Sequence, residues 1–260
     1  MTPTQAYLNK CRHIADVISE QEDNIVKAAE WFSKSILEGR MVHMFASGHS
    51  RILIEEMWPR YGSFPGFNPI VELSLTFHNL VVGANGQRQA MFLENVSGLA
   101  GRILRNFDIS SQDCALVVSS SGCNIVPVEM AELFQERKIK VVAIITKEHS
   151  LKSKSKRTDG KKLGDFADLV LDTGAPAGDA MVHIDGLDTP VAPGSTVGGA
   201  LIVNAIKAEL ASLLTKAGQP PKVLTAAVVA GETRAAELFE SAYDEHAHRL
   251  ARLYANVGRK

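Results

Sequence analysis

Two stretches of this chain repeat one pattern: a short apolar run, a turn of small hydroxyl residues and glycine, then a helix-forming segment. In the first, Met41-Val42-His43-Met44-Phe45-Ala46 leads into Ser47-Gly48-His49-Ser50 and a helical segment from Ser50 to Trp58 that stops at Pro59. In the second, Ala115-Leu116-Val117-Val118 leads into Ser119-Ser120-Ser121-Gly122 and a helix from Ile125 to Lys138, with Pro127 tolerated in its first turn. Strands that are apolar at nearly every position are covered on both faces. Alternation of such strands with helices calls for a parallel sheet between helical layers. Further runs at Lys140–Thr146 and Ala167–Leu171, and one at Ile70–Leu75, extend the pattern. The expected fold is therefore α/β, a three-layer doubly wound parallel sheet of Rossmann-like type.

Periodicity predicts helices over residues 5–37, Gln87–Asn106, Val197–Lys216 and Thr233–Tyr254, with Ser195 or Thr196 capping the third. Residues 61–69 read as a loop rich in Gly and Pro, and 220–231 carry no single pattern. With no linker in view, residues 1–260 read as one domain: an N-terminal helix 5–37, an α/β core 41–216 and a helical extension 217–260.

The charge balance, 28 Lys plus Arg against 29 Asp plus Glu, gives a net charge of −1 and no basic field of the kind nucleic acids need. Cys11, Cys114 and Cys123 are odd in number and widely spaced, as in a reducing compartment. The first residues carry charge throughout and lack an apolar core, so no signal peptide is expected. Asn204, Lys207 and Glu209 argue against a membrane span in the most apolar stretch. A cytoplasmic location is the expectation.

In an open parallel sheet, ligands bind beyond the carboxyl ends of the strands. Both hydroxyl-rich turns fall there, each leading into a helix N-terminus, which attracts anions through its unpaired N–H groups. Neither turn matches GxGxxG or GxxxxGK[ST], which points from nucleotides toward a small phosphorylated metabolite. No HxxxH or HExxH pattern appears, so neither a metal nor a cofactor is expected. The basic stretch 147–162, with seven Lys or Arg, reads as a solvated loop on the ligand side, with steering or closure over the site as its functional alternative. Cys123, near a helix N-terminus, is expected to have a lowered thiol pKa.

VVSSSGCNIVPVEMA (residues 117–131) resembles the main phosphate loop of the sugar isomerase (SIS) domain family, and FASGHSRILIEEM (residues 45–57) is similar to its first loop. The resemblance covers roughly residues 5–216. It departs from the family pattern at Ala46, Cys123 and Asn124. It implies a phosphorylated sugar held by Ser119, Ser121, Gly122 and Asn124, with Ser47 and Ser50 nearby. The residues themselves add Ser120, Gly48 and His49 within the two turns as candidates, and Ser195 and Thr196 as contacts to sugar hydroxyls, with helix capping as the favoured reading of the last two. The resemblance also implies a homodimer or homotetramer. Three activities are compatible with it: aldose–ketose isomerisation by a Glu/His pair, sensing without turnover, and phosphosugar ether cleavage. Proton transfer between adjacent carbons needs a base and a group that polarises the carbonyl. Glu56, about 9 Å along its helix from Ser50, is preferred over Glu55; Glu94 and His78 are the other candidates.

Overall fold

The computed structural model describes residues 1–76, 86–255 and 257. Five parallel strands form the central sheet: β1 (Val42–Ala46), β2 (Phe67–Ile70), β3 (Cys114–Val118), β4 (Lys140–Ile145) and β5 (Leu169–Asp172), in the order β2-β1-β3-β4-β5. Strand alternation divides the core in two. Val42, Met44 and Ala46 of β1, with Leu116 and Val118 of β3, face one helical layer; Phe45, Ala115 and Val117 face the other. Both faces are buried, as the uninterrupted apolar runs require.

The first layer is built by α1 (Pro3–Ser19), α2 (Glu22–Leu37), α3 (Ile52–Met57) and the long helix Ser195–Lys216. The second is built by α4 (Gln87–Leu93), α5 (Leu99–Leu104) and α6 (Ile125–Glu136), with Phe134 and Met130 fully enclosed. A short helix, α7 (Lys147–Lys152), follows β4. The long helix, α8 in chain order, is long and apolar enough to cross a bilayer by composition alone. Here it packs against α1, α2 and α3, with Ile202, Val203, Ile206 and Leu210 completely enclosed. A two-stranded antiparallel hairpin, β6 (Ala180–Val182) and β7 (Val191–Pro193), precedes α8. It leans on α1, whose Tyr7 hydroxyl donates to the Pro193 carbonyl at 3.1 Å.

Some boundaries differ from the sequence expectation, each for a visible reason. The predicted helix 5–37 breaks after Ser19, because Gln21 turns its amide onto the backbone of β5. Its Nε2 donates to Asp172 O at 2.9 Å and its Oε1 accepts from Asp172 N at 2.7 Å. The expected strand Ile70–Leu75 starts earlier, at Phe67. Pro69 is tolerated because β2 is an edge strand, and Leu73–Leu75 form a 3-10 turn. The predicted helix 87–106 is two helices. Between them the Glu129 carboxylate takes hydrogen bonds from Ser97 Oγ at 2.6 Å and Gly98 N at 2.9 Å.

The amino ends of the strands are tied by a buried network. Asp113, with no exposed side-chain surface, accepts from Arg40 Nη2 at 2.7 Å and Ser110 N at 2.7 Å, and lies 3.2 Å from His43 Nε2. Asn68 Nδ2 is 3.0 Å from His43 Nδ1, so the network spans β1, β2 and the turn before β3. Burial pushes the Asp113 carboxyl up, but His43, Arg40 and the Ser110 amide more than reverse this and hold it at about 2.

Two helices close the chain: α9 (Ala227–Ala230) and α10 (Glu232–Tyr254). The latter caps α2 from outside: Arg249 Nη1 donates to Arg40 O at 2.8 Å and Ile36 O at 3.2 Å, and Arg252 Nη1 to Gly39 O at 2.9 Å. Carbonyls at a helix C-terminus lack partners within the helix, and guanidinium groups supply them.

Candidate functional site

The strand order places the site. β1 connects to β2 on one side, whereas the chain continues from β3 to β4 on the other. The carboxyl ends of β1 and β3 therefore flank the topological switch point, where an open α/β sheet leaves a crevice. The turns 47–50 and 119–124 both lie there. A cavity of about 210 Å³ opens beside them, walled by His49, Ser50, Ser120, Thr173, Ser195 and Thr196, with Val118 and Ile144 at the strand ends. Asp179, whose carboxylate binds the start of α8, completes its polar lining.

The second turn is shaped by its own hydrogen bonds. Ser119 N donates to Ile144 O of β4 at 3.0 Å, and Gly122 N donates back to Ser119 O at 3.1 Å. Gly122 has φ +62°, and a Cβ there would meet Leu163 Cβ at 3.3 Å and Ile145 Cγ2 at 3.4 Å, so glycine suits the position on both counts. Ser121 Oγ accepts from Cys123 N at 3.2 Å. Ser120 points the other way, to Thr146 Oγ1 at 3.2 Å, and Thr146 continues to Thr173 Oγ1 at 2.8 Å. Three hydroxyls thus run in a chain from the second turn to the end of β5. The basic stretch 147–162 and the residue after it brace this turn: Lys156 N donates to Cys123 O at 2.9 Å, and Leu163 N to Gly122 O at 2.8 Å.

Glu94 links the two turns. Its Oε2 accepts from Ser47 Oγ at 2.5 Å, and its carboxylate also takes a hydrogen bond from the Asn124 amide. Its backbone carbonyl accepts from Val126 N, at the start of α6, at 2.8 Å. Burial raises the Glu94 carboxyl pKa, and the two hydrogen bonds oppose it only in part. Asn124 occupies the N-cap position of α6 but makes no capping bond with its side chain.

Of the residues singled out from sequence, His49, Ser50, Ser120, Ser195 and Thr196 wall the cavity. Ser47, Gly48, Ser119, Ser121, Gly122 and Asn124 belong to the turns behind that wall. Thr196 Oγ1 lies 3.4 Å from His49 Nδ1, joining α8 to the first turn. The N-cap of α8 is Gly194, one residue before the expected Ser195. Glu56 lies elsewhere. Its Oε1 accepts from Asn204 Nδ2 at 2.8 Å and its Oε2 pairs with Arg60 Nη1 at 2.5 Å, in a separate groove lined by Pro59, Tyr61, Phe239 and Tyr243. Partial burial raises its carboxyl pKa, but Asn204 and Arg60 outweigh this and leave it below its usual range. His78 falls outside the described residues. The Cys123 thiol is raised, not lowered as expected. It is 2% exposed, and burial outweighs the nearby Lys162 and Lys156. Among the described residues, no group of three His, Cys, Asp or Glu is placed to hold a metal ion.

A family model described as the SIS domain matches residues 6–146. The chain belongs to the SIS domain family. Its relatives include the UPF0309 protein lin2794 of Listeria innocua, 34% identical over 76% of this chain and 78% of that protein. The UPF0309 protein GK1441 of Geobacillus kaustophilus is 33% identical over 84% and 85%. Among solved structures, the phosphoheptose isomerase GmhA from Neisseria gonorrhoeae superposes with a TM-score of 0.49 at 13% identity, over 80% of this chain and 96% of that one. The Vibrio vulnificus NanR protein complexed with ManNAc-6P gives 0.47 at 16% identity, over 93% and 67%.

Within this SIS domain protein, sequence reasoning missed three site residues. Thr146 and Thr173 each follow the last residue of a strand, a position where a hydroxyl was a signal available in advance. Asp179 carried none, since it reaches the α8 N-terminus from fifteen residues before Gly194. It takes hydrogen bonds from Gly194 N at 3.0 Å, Ser195 N at 2.6 Å and Ser195 Oγ at 2.8 Å. Gly198 lets α8 come this close to the sheet: a Cβ there would stand 1.9 Å from Thr173 O.

Proposed function

We propose that this chain binds a phosphorylated sugar at the turns following β1 and β3 and interconverts its aldose and ketose forms. The observation that carries the reading is Glu94. Its half-buried carboxyl group lies between Ser47 of one turn and Asn124 of the other, with its proton affinity raised. A base shuttling a proton between adjacent carbons works best with a pKa drawn toward neutrality. In this reading Glu94 takes the proton from the carbon next to the carbonyl and returns it to the neighbour. His49, Ser50 and Ser120 supply donors to the phosphate and to the enediolate oxygen. Membership in the SIS domain family supports the sugar-phosphate class. Glu56, held by Arg60 and Asn204, fits a structural role better than a catalytic one.

A second reading, a phosphosugar sensor without turnover, draws on one observation: Glu94 is not among the residues that wall the cavity. Incubating the protein with a panel of aldose phosphates in deuterated water separates the two. Isomerase chemistry introduces deuterium at the carbon beside the carbonyl, and Glu94→Gln lowers that exchange by about 10²–10⁴-fold while binding persists. Saturable binding without exchange in the unaltered protein selects the sensor. The proposed assembly, a homodimer or homotetramer, is read directly by sedimentation velocity.

A further inference from the structure

The α8 N-terminus reaches the cavity already filled by a carboxylate from the same chain. Asp179 Oδ1 accepts from Gly194 N and Ser195 N, and Oδ2 accepts from Ser195 Oγ, so both oxygens are fixed. The backbone is fixed as well. Asp179 N donates to Pro176 O at 3.0 Å, and Gly194 N also donates to Asp179 O at 3.1 Å. The residue holds φ +71°, a left-handed conformation that Asp tolerates better than most side chains. This clamped anion is part of the cavity wall, and among the described residues no Lys or Arg lines the cavity to offset it.

A cavity of about 210 Å³ whose polar lining is serines, threonines, one imidazole and Asp179, set against the apolar Leu53, Val118, Ile144 and Pro193, treats two ligand groups unequally. A phosphate is accepted on the side of His49, Ser50 and Ser120. A hydroxyl group is accepted on the side of Asp179, whose Oδ2 keeps a lone pair beyond the one donor it already serves. A second phosphate or a carboxylate meets like charge there, in a cavity that no Lys or Arg lines among the described residues. We propose that Asp179 is a specificity residue: it admits phosphorylated sugars whose far end is uncharged and rejects sugar bisphosphates and phosphorylated sugar acids. This rests on the phosphosugar reading above and adds to it the class of sugar and the way round it binds.

The test is calorimetric titration of the full chain with matched ligands: glucose 6-phosphate, glucose 1,6-bisphosphate and 6-phosphogluconate, and the corresponding fructose and ribose mono- and bisphosphates. In the unaltered protein each monophosphate that binds should do so at least about tenfold more tightly than its doubly anionic counterpart. Asp179→Asn keeps an acceptor for Gly194 and Ser195 and removes the charge, so the gap should close to about twofold or less. Asp179→Ser repeats the test if the Asn variant does not fold. Raising the ionic strength on the unaltered protein narrows the same gap without any substitution. Equal affinity for mono- and bisphosphates in the unaltered protein, or an undiminished gap in the variants, overturns the assignment. If no monophosphate of the panel binds, the phosphosugar reading itself falls, and this inference with it.

Discussion

Replacing Asp113 with Asn tests whether the buried network at the amino ends of the strands stabilises the sheet electrostatically. The carboxyl group has no exposed surface, and its pKa lies at about 2, against an ordinary value of 3.8. A depressed pKa means that folding favours the ionised form. The associated stability is full above the unfolded value and is lost as the pH falls through the folded one. The shift corresponds to about 2–3 kcal/mol, of which about half is gone by pH 3. Asp113→Asn leaves the Arg40 guanidinium without its charge partner, so the total cost at neutral pH should reach about 3 kcal/mol or more. Urea unfolding of both proteins at a series of pH values from about 5 down to about 3 reads the effect, because carboxylates remote from the network cancel in the difference and the range lies below that in which imidazoles such as the neighbouring His43 ordinarily change charge. Between about pH 5 and pH 3 that difference should shrink by roughly 1 kcal/mol. A difference that does not change with pH would refute the electrostatic account and leave Asp113 as a packing and hydrogen-bonding group only.

Gly198→Ala should push α8 away from Thr173 by about 1.5 Å, the gap between a 1.9 Å approach and ordinary contact. It should lower the melting temperature and abolish phosphosugar binding by titration; an unchanged melting temperature with intact binding would show that α8 is not pressed on the site. Arg249→Ala removes one donor each from Ile36 O and Arg40 O and one of the two cationic partners of Glu245, the other being Lys222. Urea unfolding should show a loss of about 2 kcal/mol with ligand affinity unchanged, since α10 lies away from the cavity.

The layers of this fold were legible because the strands are apolar at nearly every position and their turns are marked by serine and glycine. The strand ends of β1 and β3 and the helices starting near Ile52 and Ile125 follow from local chemistry alone. What escaped depends on partners remote in sequence. Gln21 breaks a helix because of a strand that forms at Leu169–Asp172, and the split after Leu93 depends on Glu129. Axial distance suggested Glu56, but rotation about α3 decides where a side chain points, and Arg60 and Asn204 claim this one. Glu94 was legible as a candidate and not as a bridge, since its role depends on Ser47 and Asn124 meeting across the switch point. Cys123 misled because proximity to a helix start says nothing of burial, which dominates its thiol.

The hairpin that carries Asp179 stands outside the main sheet and leans on α1 through Tyr7 and Pro193. The first helix of the fold is thus joined to a piece of the pocket that lies far along the sequence. Trimming the leading helix would leave the five-strand framework with most of its partners while unseating the segment that discriminates among ligands. A shortened protein that folds and yet no longer tells one sugar phosphate from another is the form in which that dependence would surface.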